Sequence, residues 1–562
     1  MMKIIPALLF LLVSVPSAMF AQEDRARRLD TIFREWSQPG SPGAAVAVMQ
    51  GGKIVCEKGF GAATLEYDVP VTPRTVFHVA SVSKQFTAMA LVLLEQDGKL
   101  SLEDDARKFL PELPDYGQKI TIRHLLQHTS GIRDQWQTLG LAGWRLDDVI
   151  TQRQILRLLF RQKELNFPPG SQHLYSNGGY TLAAEIVARV SGKGLPEFCD
   201  ERIFRPLGMT RTHFHLDHRR IVRDRAQSYE KTADGYQALP LNYANVGATS
   251  LFTTAPDLVR WLDNFRDPKV GGRAAIDRLQ EAAVLNDGRK IDYGLGLSLG
   301  NSGGRKTVSH GGGDAGYRSF VLWYPAEELG VAVLSGLASF DSARVANEVA
   351  ALFLADKQVP VEAKTEPKAE PKAESQPVVR QYIPLEARQT DLYIGHYRLD
   401  NGMEANILKR EGKLIAEMPG QWSHELKALA TNRFFLEPLN GEVEFTPKPG
   451  GALALKFSQV GMVLSGERAG LEPLAAPDLA TYQGIYWSDE LETQYTMVLK
   501  AGKLIAEHAH HGEIPLIPAG KDRFTSGEWF MPNVNFGRDS AGQITGVTLG
   551  GGRVSAIRFV RR

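Results

Sequence analysis

Apolar and polar positions divide the chain into a mixed first part and an all-β last part. Ala44–Phe60 alternates around the pair Gly51-Gly52 and predicts a hairpin. From Val82 to Gln96 apolar residues recur at helical spacing, and Gly98 supplies a stop signal. Helical patterning continues to about Phe265. Strand-like runs return at Tyr293–Leu299, Lys306–His310, Tyr317–Tyr324 and Gly330–Ser335, before a last helix over Ser342–Leu354. Strands at both ends of a helical middle predict an α/β domain over residues 22–355. Its N- and C-terminal segments close one antiparallel sheet flanked by helices.

Residues 356–384 break this pattern. Glu-Pro-Lys-Ala occurs twice in succession there, large apolar residues are few, and Pro360, Pro367, Pro371 and Pro377 oppose a helix. Such a segment buries too little to offset its ordering entropy, so an extended linker is expected. Beyond it the sequence repeats. Gly412-Lys413-Leu414-Ile415-Ala416-Glu417 recurs unchanged as Gly502–Glu507, Tyr393-Ile394-Gly395-His396-Tyr397 answers Tyr482-Gln483-Gly484-Ile485-Tyr486, and Asn432-Arg433-Phe434 answers Asp522-Arg523-Phe524. Short alternating runs with frequent turn residues make each copy all-β. Two small antiparallel barrels are predicted, over residues 385–476 and 477–562.

The N-terminus sets an expected compartment. Met1–Lys3 is short and basic, Ile4–Val15 is almost wholly apolar, and Ser17–Ala21 supplies small residues. This reads as a secretory signal peptide over residues 1–21, cleaved after Ala21, which implies a periplasmic or secreted protein without stable membrane insertion. The rest carries 64 basic and 64 acidic residues, because Lys3 is the one charge removed. Such a balance offers no steering towards nucleic acid. Hydrophobic residues make up 43% and charged residues 23%, as in soluble globular proteins. Cys56 falls in a strand-like run and Cys199 in a helix-like one, and with no framework around them two buried free thiols are favoured over a disulfide.

Chemistry enters at Ser81-Val82-Ser83-Lys84, which opens the first long helix. Three-residue spacing places Ser81 and Lys84 on one face. The helix N-terminus brings unsatisfied N–H groups and positive potential to Ser81, and a desolvated neutral lysine can take a hydroxyl proton. Alone, Ser-x-x-Lys is common by chance. A second element, Tyr175-Ser176-Asn177, precedes an amphipathic helix that ends near Ser191-Gly192. A phenol there can relay the proton to a leaving group, and the Asn177 amide can meet a substrate carbonyl. The third element is Ser309-His310-Gly311-Gly312-Gly313. Its glycines let a substrate lie flat against strand backbone whose N–H groups face an oxyanion.

At these residues the chain resembles the penicillin-recognising serine hydrolases: class C β-lactamases, D,D-peptidases and related esterases and D-aminopeptidases. The likeness is dense over about Gly40–Ala355. It includes Phe77–Lys84, Ile120–Gly131, Tyr175–Asn177, Arg205–Met209 and His310–Gly312. It implies a serine β-lactamase-like catalytic domain with Ser81 as nucleophile and Lys84 and Tyr175 as the proton-carrying pair. It makes Asn177, His310 and Gly312 substrate-binding, and assigns the oxyanion hole to the N–H groups of Ser81 and Gly313. One departure is His310, where β-lactamases of this class usually carry lysine. The two trailing barrels resemble those of D-aminopeptidases, which also use histidine there.

Two other motifs are set aside. Gly300-Asn301-Ser302-Gly303-Gly304 fits G-x-S-x-G, which needs a following helix, whereas a strand follows here. Gly311–Gly316 fits G-x-G-x-x-G and fails for the same reason. His124 and His128 are expected on one helix face in a structural role. The expected activity is acyl transfer on amide or ester bonds of a small molecule or short peptide, with no cofactor and no metal, and a homo-oligomer is compatible with it. The alternatives are β-lactamase or D,D-carboxypeptidase activity and, from another class, a penicillin-binding sensor that acylates without turnover.

Overall fold

The computed structural model describes residues 17–242, 244–355, 382–399, 404–410, 412–418, 422–437, 441–448, 453–459, 462–468 and 479–562. The expected linker over residues 356–384 and the first sixteen residues of the expected signal peptide lie almost wholly outside them. Ser17–Ile32 forms one helix that runs across the expected cleavage position at Ala21. No described helix is long and apolar enough to cross a membrane. The described residues form two compact units. One holds residues up to Leu102, Val187–Ala283 and those from Lys290 to 355; the other holds Glu103–Ile186, Val284–Arg289 and those from 382 onward.

The first unit is built on a six-stranded antiparallel sheet. Its strands are β1 (Ala44–Gln50), β2 (Lys53–Phe60), β3 (Ser298–Ser302), β4 (Arg305–Asp314), β5 (Tyr317–Tyr324) and β6 (Leu329–Ser335), in the order β3-β4-β5-β6-β1-β2. β1 pairs with β6 from Ala44↔Ser335 to Gln50↔Leu329, which joins the N- and C-terminal segments as expected. The sequence of β1 is almost uninterrupted apolar because both of its faces are covered. Val46 and Val48 share a core with Leu29 and Phe33 below and with Val345 and Val349 of the Ser342–Leu354 helix. The Ala255–Arg266 helix also packs on β1 and β6. Each such valine contributes about 1.5–3 kcal/mol by leaving water.

Several boundaries differ from the sequence reading. The run Tyr293–Leu299 is mostly a turn, closed by Gly294 N–H to Leu297 carbonyl, and the strand starts at Ser298. Gly296 accounts for this: its φ is +73°, and a Cβ there would sit 2.9 Å from the Lys84 carbonyl. β4 continues through the glycines to Asp314 instead of stopping at His310. The motif Gly300–Gly304 forms the end of β3 and a turn into β4, as expected. The Ile122–Leu126 helix ends before His128, so His124 and His128 do not share a helix face. His124 caps that helix by accepting from Thr121 N–H, while His128 accepts from Ser176 N–H. Both cysteines are free, Cys199 buried and Cys56 only half-buried.

In the second unit the sequence repeats become two β-structures. One is a nine-stranded antiparallel sheet whose edge strands, Trp422–Glu425 and Lys427–Ala430, are separated by Leu426 alone, so it is nearly closed. The other is a closed eight-stranded barrel. The identical hexapeptides are strands in both, at Lys413–Met418 and Lys503–His508. The repeated tyrosines make the same bond: Tyr397 Oη donates to the Tyr393 carbonyl and Tyr486 Oη to the Tyr482 carbonyl, each at 2.8 Å.

The closed barrel is seated on the Gln135–Leu141 helix of the same unit. Leu141 is fully buried in the barrel's own core, and Tyr495 Oη donates to its carbonyl at 3.1 Å. Arg133 and Glu490 form a buried ion pair, in which stranding either charge costs about 3–5 kcal/mol. His511 donates from Nε2 to the Gly140 carbonyl at 2.8 Å, and His510 from Nδ1 to that of Gly143 at 3.0 Å. The contact is close enough to require glycine: a Cβ on Gly140 would lie 2.6 Å from the Phe530 Cβ.

Candidate active site

The first unit brings five of the expected residues to the start of one helix and the end of β4. Ser81 lies in a 3-10 turn, Ala80–Ser83, and the α-helix proper runs Lys84–Gln96. The spacing still places Lys84 Nζ 3.0 Å from Ser81 Oγ, and Nζ also donates to the Ala248 carbonyl at 2.8 Å. Lys84 is wholly buried, whereas Ser81 is half-buried. Ser83 is structural: its hydroxyl donates to the Ala80 carbonyl and accepts from Leu251 N–H. Ala80, just before the serine, has φ +47°, a left-handed conformation that costs a non-glycine residue about 1 kcal/mol or more. Strain of this kind persists only where the surroundings impose it.

β4 supplies the glycine motif. β3 pairs with β4 only as far as Ser298↔Ser309, so among the described residues His310–Asp314 have no strand on that side. An extended chain can therefore pair there through its backbone. Gly312 lies against the serine turn. A Cβ at Gly312 would come within 2.3 Å of the Val79 carbonyl, 2.4 Å of Ser319 Oγ and 3.1 Å of Ser81 N. Gly313 is less confined, with Arg318 Nη1 the nearest atom at 3.5 Å. Gly312→Ala is expected to force this contact apart and cost about 1–3 kcal/mol, read as a lowered Tm. A variant with wild-type Tm would show that the strand and turn are not in close contact.

His310 is buried and neutral. Its Nδ1 faces the Gly311 carbonyl at 2.7 Å and its Nε2 faces Tyr293 Oη at 3.0 Å. A carbonyl only accepts, so Nδ1 carries the hydrogen and Nε2 accepts from the tyrosine hydroxyl. Burial pushes the imidazole down to about 4, Lys84 adds to this, and the Gly311 carbonyl opposes it.

The second unit holds Tyr175 and Asn177. Asn177 is the first residue of the Asn177–Ser191 helix. Its N–H and Nδ2 both donate to Asp134 Oδ2, at 2.9 and 2.7 Å. Asp134 also caps the Gln135–Leu141 helix by accepting from Trp136 N–H and Gln137 N–H. The Tyr175 ring lies 4.0 Å from the His128 ring, centroid to centroid, and the Arg553 guanidinium stands 4.9 Å over it.

Sequence reasoning missed Asp134, Tyr293 and the Ala248 carbonyl. Asp134 was within reach, because it follows the stretch Ile120–Gly131 and precedes a helical run, where a carboxylate caps. Tyr293 and Ala248 carry no local signal. Their roles arise only in the fold, where Ala248 meets Lys84, 164 positions away, and Tyr293 meets His310 across a turn.

Residues 27–355 match the Beta-lactamase family. "Penicillin-binding protein 4*" of Bacillus subtilis is 29% identical over 448 residues, 76% of this chain and 94% of that protein. A D-aminopeptidase of Brucella ovis is 27% identical over 548 residues, 92% of this chain and 96% of that one, and so spans the trailing β-structures too. The crystal structure of D-amino acid amidase from Ochrobactrum anthropi, complexed with L-phenylalanine amide, shares the fold. It matches with a TM-score of 0.52 and 23% identity, covering 60% of this chain and all of its own. The chain belongs to the Beta-lactamase family and is a serine hydrolase that acts on amide or ester bonds.

Proposed function

We propose that this hydrolase works by two-step acyl transfer from Ser81, as a D-aminopeptidase-like peptidase or esterase, and prefers substrates whose reacting end is uncharged. The observation that carries the reading is Lys84 Nζ, wholly buried and 3.0 Å from Ser81 Oγ. Ser81 Oγ attacks the carbonyl carbon and its proton passes to the Lys84–Tyr175 pair. The tetrahedral oxyanion rests on the N–H groups of Ser81 and Gly313. Collapse expels the amine or alcohol, which takes the proton, and water then releases the acyl group by the reverse path. The parts of Tyr175 and Asn177 rest on the order of the motifs, Ser-x-x-Lys, Tyr-x-Asn, His-Gly-Gly, that the chain shares with its family. Export to the periplasm or medium rests on the Met1–Ala21 pattern alone.

Substrate polarity follows from His310. β-Lactams and peptides ending in D-Ala-D-Ala present a carboxylate close to the third motif. A lysine there answers it with charge; an imidazole held down to about 4 stays neutral throughout pH 6–8. A buried carboxylate without a charged partner is costly. A steady-state panel of D-aminoacyl amides, p-nitrophenyl esters and a chromogenic cephalosporin tests this. Cephalosporin kcat/KM is expected to fall about 100-fold or more below that of the best amide or ester. His310→Lys is expected to narrow the gap. Efficient cephalosporin turnover at pH 7–8 would make β-lactam hydrolysis the better reading, and a burst without turnover would favour an acylating sensor.

A further inference from the structure

The turn between the last two strands of the closed barrel, β7 (Ile544–Gly551) and β8 (Val554–Arg561), is fixed to the segment that carries Tyr175 and Asn177. Gln137 Nε2 donates to the Gly551 carbonyl at 2.6 Å, and Gln137 Oε1 accepts from Arg553 N–H at 2.9 Å. Asn166 makes the matching pair, donating to the Arg553 carbonyl at 2.8 Å and accepting from Ser555 N–H at 2.9 Å. Five backbone groups of this turn and the strand ends that flank it are thus held by side chains of the helical segment, counting Arg133 Nη2 on the Ala556 carbonyl at 2.7 Å. The backbone at Arg553 is tied down on both sides of its Cα, so the side chain projects from a fixed base.

That side chain is unusual in what it does not do. Its guanidinium stands over the Tyr175 ring and comes within 4.0 Å of Asp134 Oδ2, too far for a hydrogen bond. Asp134 is already engaged by Asn177, Trp136 and Gln137, so it does not form a two-pronged pair with the arginine. No described residue accepts a hydrogen bond from the guanidinium. It is 39% exposed, over the ring of Tyr175 and facing the Asp134 oxygen that Asn177 bonds, so it stands by the two residues that the motif order assigns to the reaction in this unit. An arginine has five donors in a planar fork that matches a carboxylate, and a cation resting on a tyrosine face keeps those donors at its edge available.

We propose that Arg553 determines specificity by binding a carboxylate on the acyl group of the substrate, beside Asn177. The inference rests on the reading of Tyr175 and Asn177 as active-site residues. It also divides the labour over charge. Neutral His310 disfavours an anion at the third motif, and Arg553 supplies a cation for one at the Tyr-x-Asn motif.

Two esters with the same p-nitrophenol leaving group and the same acyl length test it: the neutral hexanoate and the mono-adipate, which ends in a carboxylate. Wild type is expected to prefer the mono-adipate in kcat/KM. Arg553→Gln is expected to reduce the mono-adipate to hexanoate ratio by about 10–100-fold, mainly through KM, as for loss of a charge-assisted bond. Arg553→Lys is expected to restore part of the ratio. A merely structural role, through the barrel contact or the Tyr175 ring, moves both esters together and leaves the ratio intact. A ratio unchanged within about 2-fold, or a wild type that prefers hexanoate, overturns the inference while Ser81-dependent turnover of either ester keeps the active-site reading. Absence of Ser81-dependent turnover of both overturns the two together.

Discussion

Ser81→Ala is expected to lower kcat/KM on every substrate by about 10⁴–10⁶-fold, the scale seen when a nucleophile acting within a catalytic group is removed. The size follows from covalency. On the proposed mechanism no acyl-enzyme forms without Oγ, and what remains is the oxyanion hole and binding. The fold is expected to survive, because Ser81 Oγ has no packing duty: it is half-buried and bonded to Lys84. Lys84 keeps the Ala248 carbonyl as a partner after the change, so Tm is expected to move by less than about 3 °C. Ser302→Ala is the control. Ser302 ends β3 at the turn into β4, and its loss is expected to change kcat/KM by less than about 2-fold. If Ser302→Ala abolishes turnover and Ser81→Ala spares it, the nucleophile is the wrong serine.

Much of this architecture was legible because it obeys local rules. β1 shows its burial in its composition, the helix after Lys84 shows its periodicity, and the hexapeptide repeat marks equivalent strands in two β-structures. What was not legible depends on contacts distant in sequence. The turn at Gly296 exists because that backbone meets Lys84, more than two hundred positions earlier. β4 runs on through three glycines, residues of poor strand propensity, because β5 pairs with every one of them from Gly311↔Phe320 to Gly313↔Arg318. The seat of the closed barrel on residues 133–166 was equally hidden. Its key groups, Arg133, Gln137, Gly140 and Glu490, look like ordinary surface positions until their partners are known. The same holds for Arg553, which reads as a turn residue in the sequence and gains its meaning from Tyr175.

Lys84 and Tyr175 provide the other large effect. Lys84→Met keeps the volume of the side chain but removes the only described group bonded to Ser81 Oγ, and Tyr175→Phe removes one hydroxyl. Each is expected to lower kcat by about 10³-fold, near the middle of the range for general acid–base assistance. If the two carry one proton along one path, either change breaks that path, and the second then has little left to remove. The double variant is expected within about 5-fold of the worse single one, since residues that act as a unit are strongly non-additive. Independent roles predict instead a product of the two losses, on the order of 10⁶-fold. Lys84→Met also leaves the buried Ala248 carbonyl without its donor, which costs about 1–3 kcal/mol of stability. That cost belongs to folding, so kcat is measured per folded molecule at a temperature well below the lowered Tm. Tyr175→Phe has no such effect on Ala248, and additive losses in log kcat between the two would assign Tyr175 to a step that Lys84 does not share.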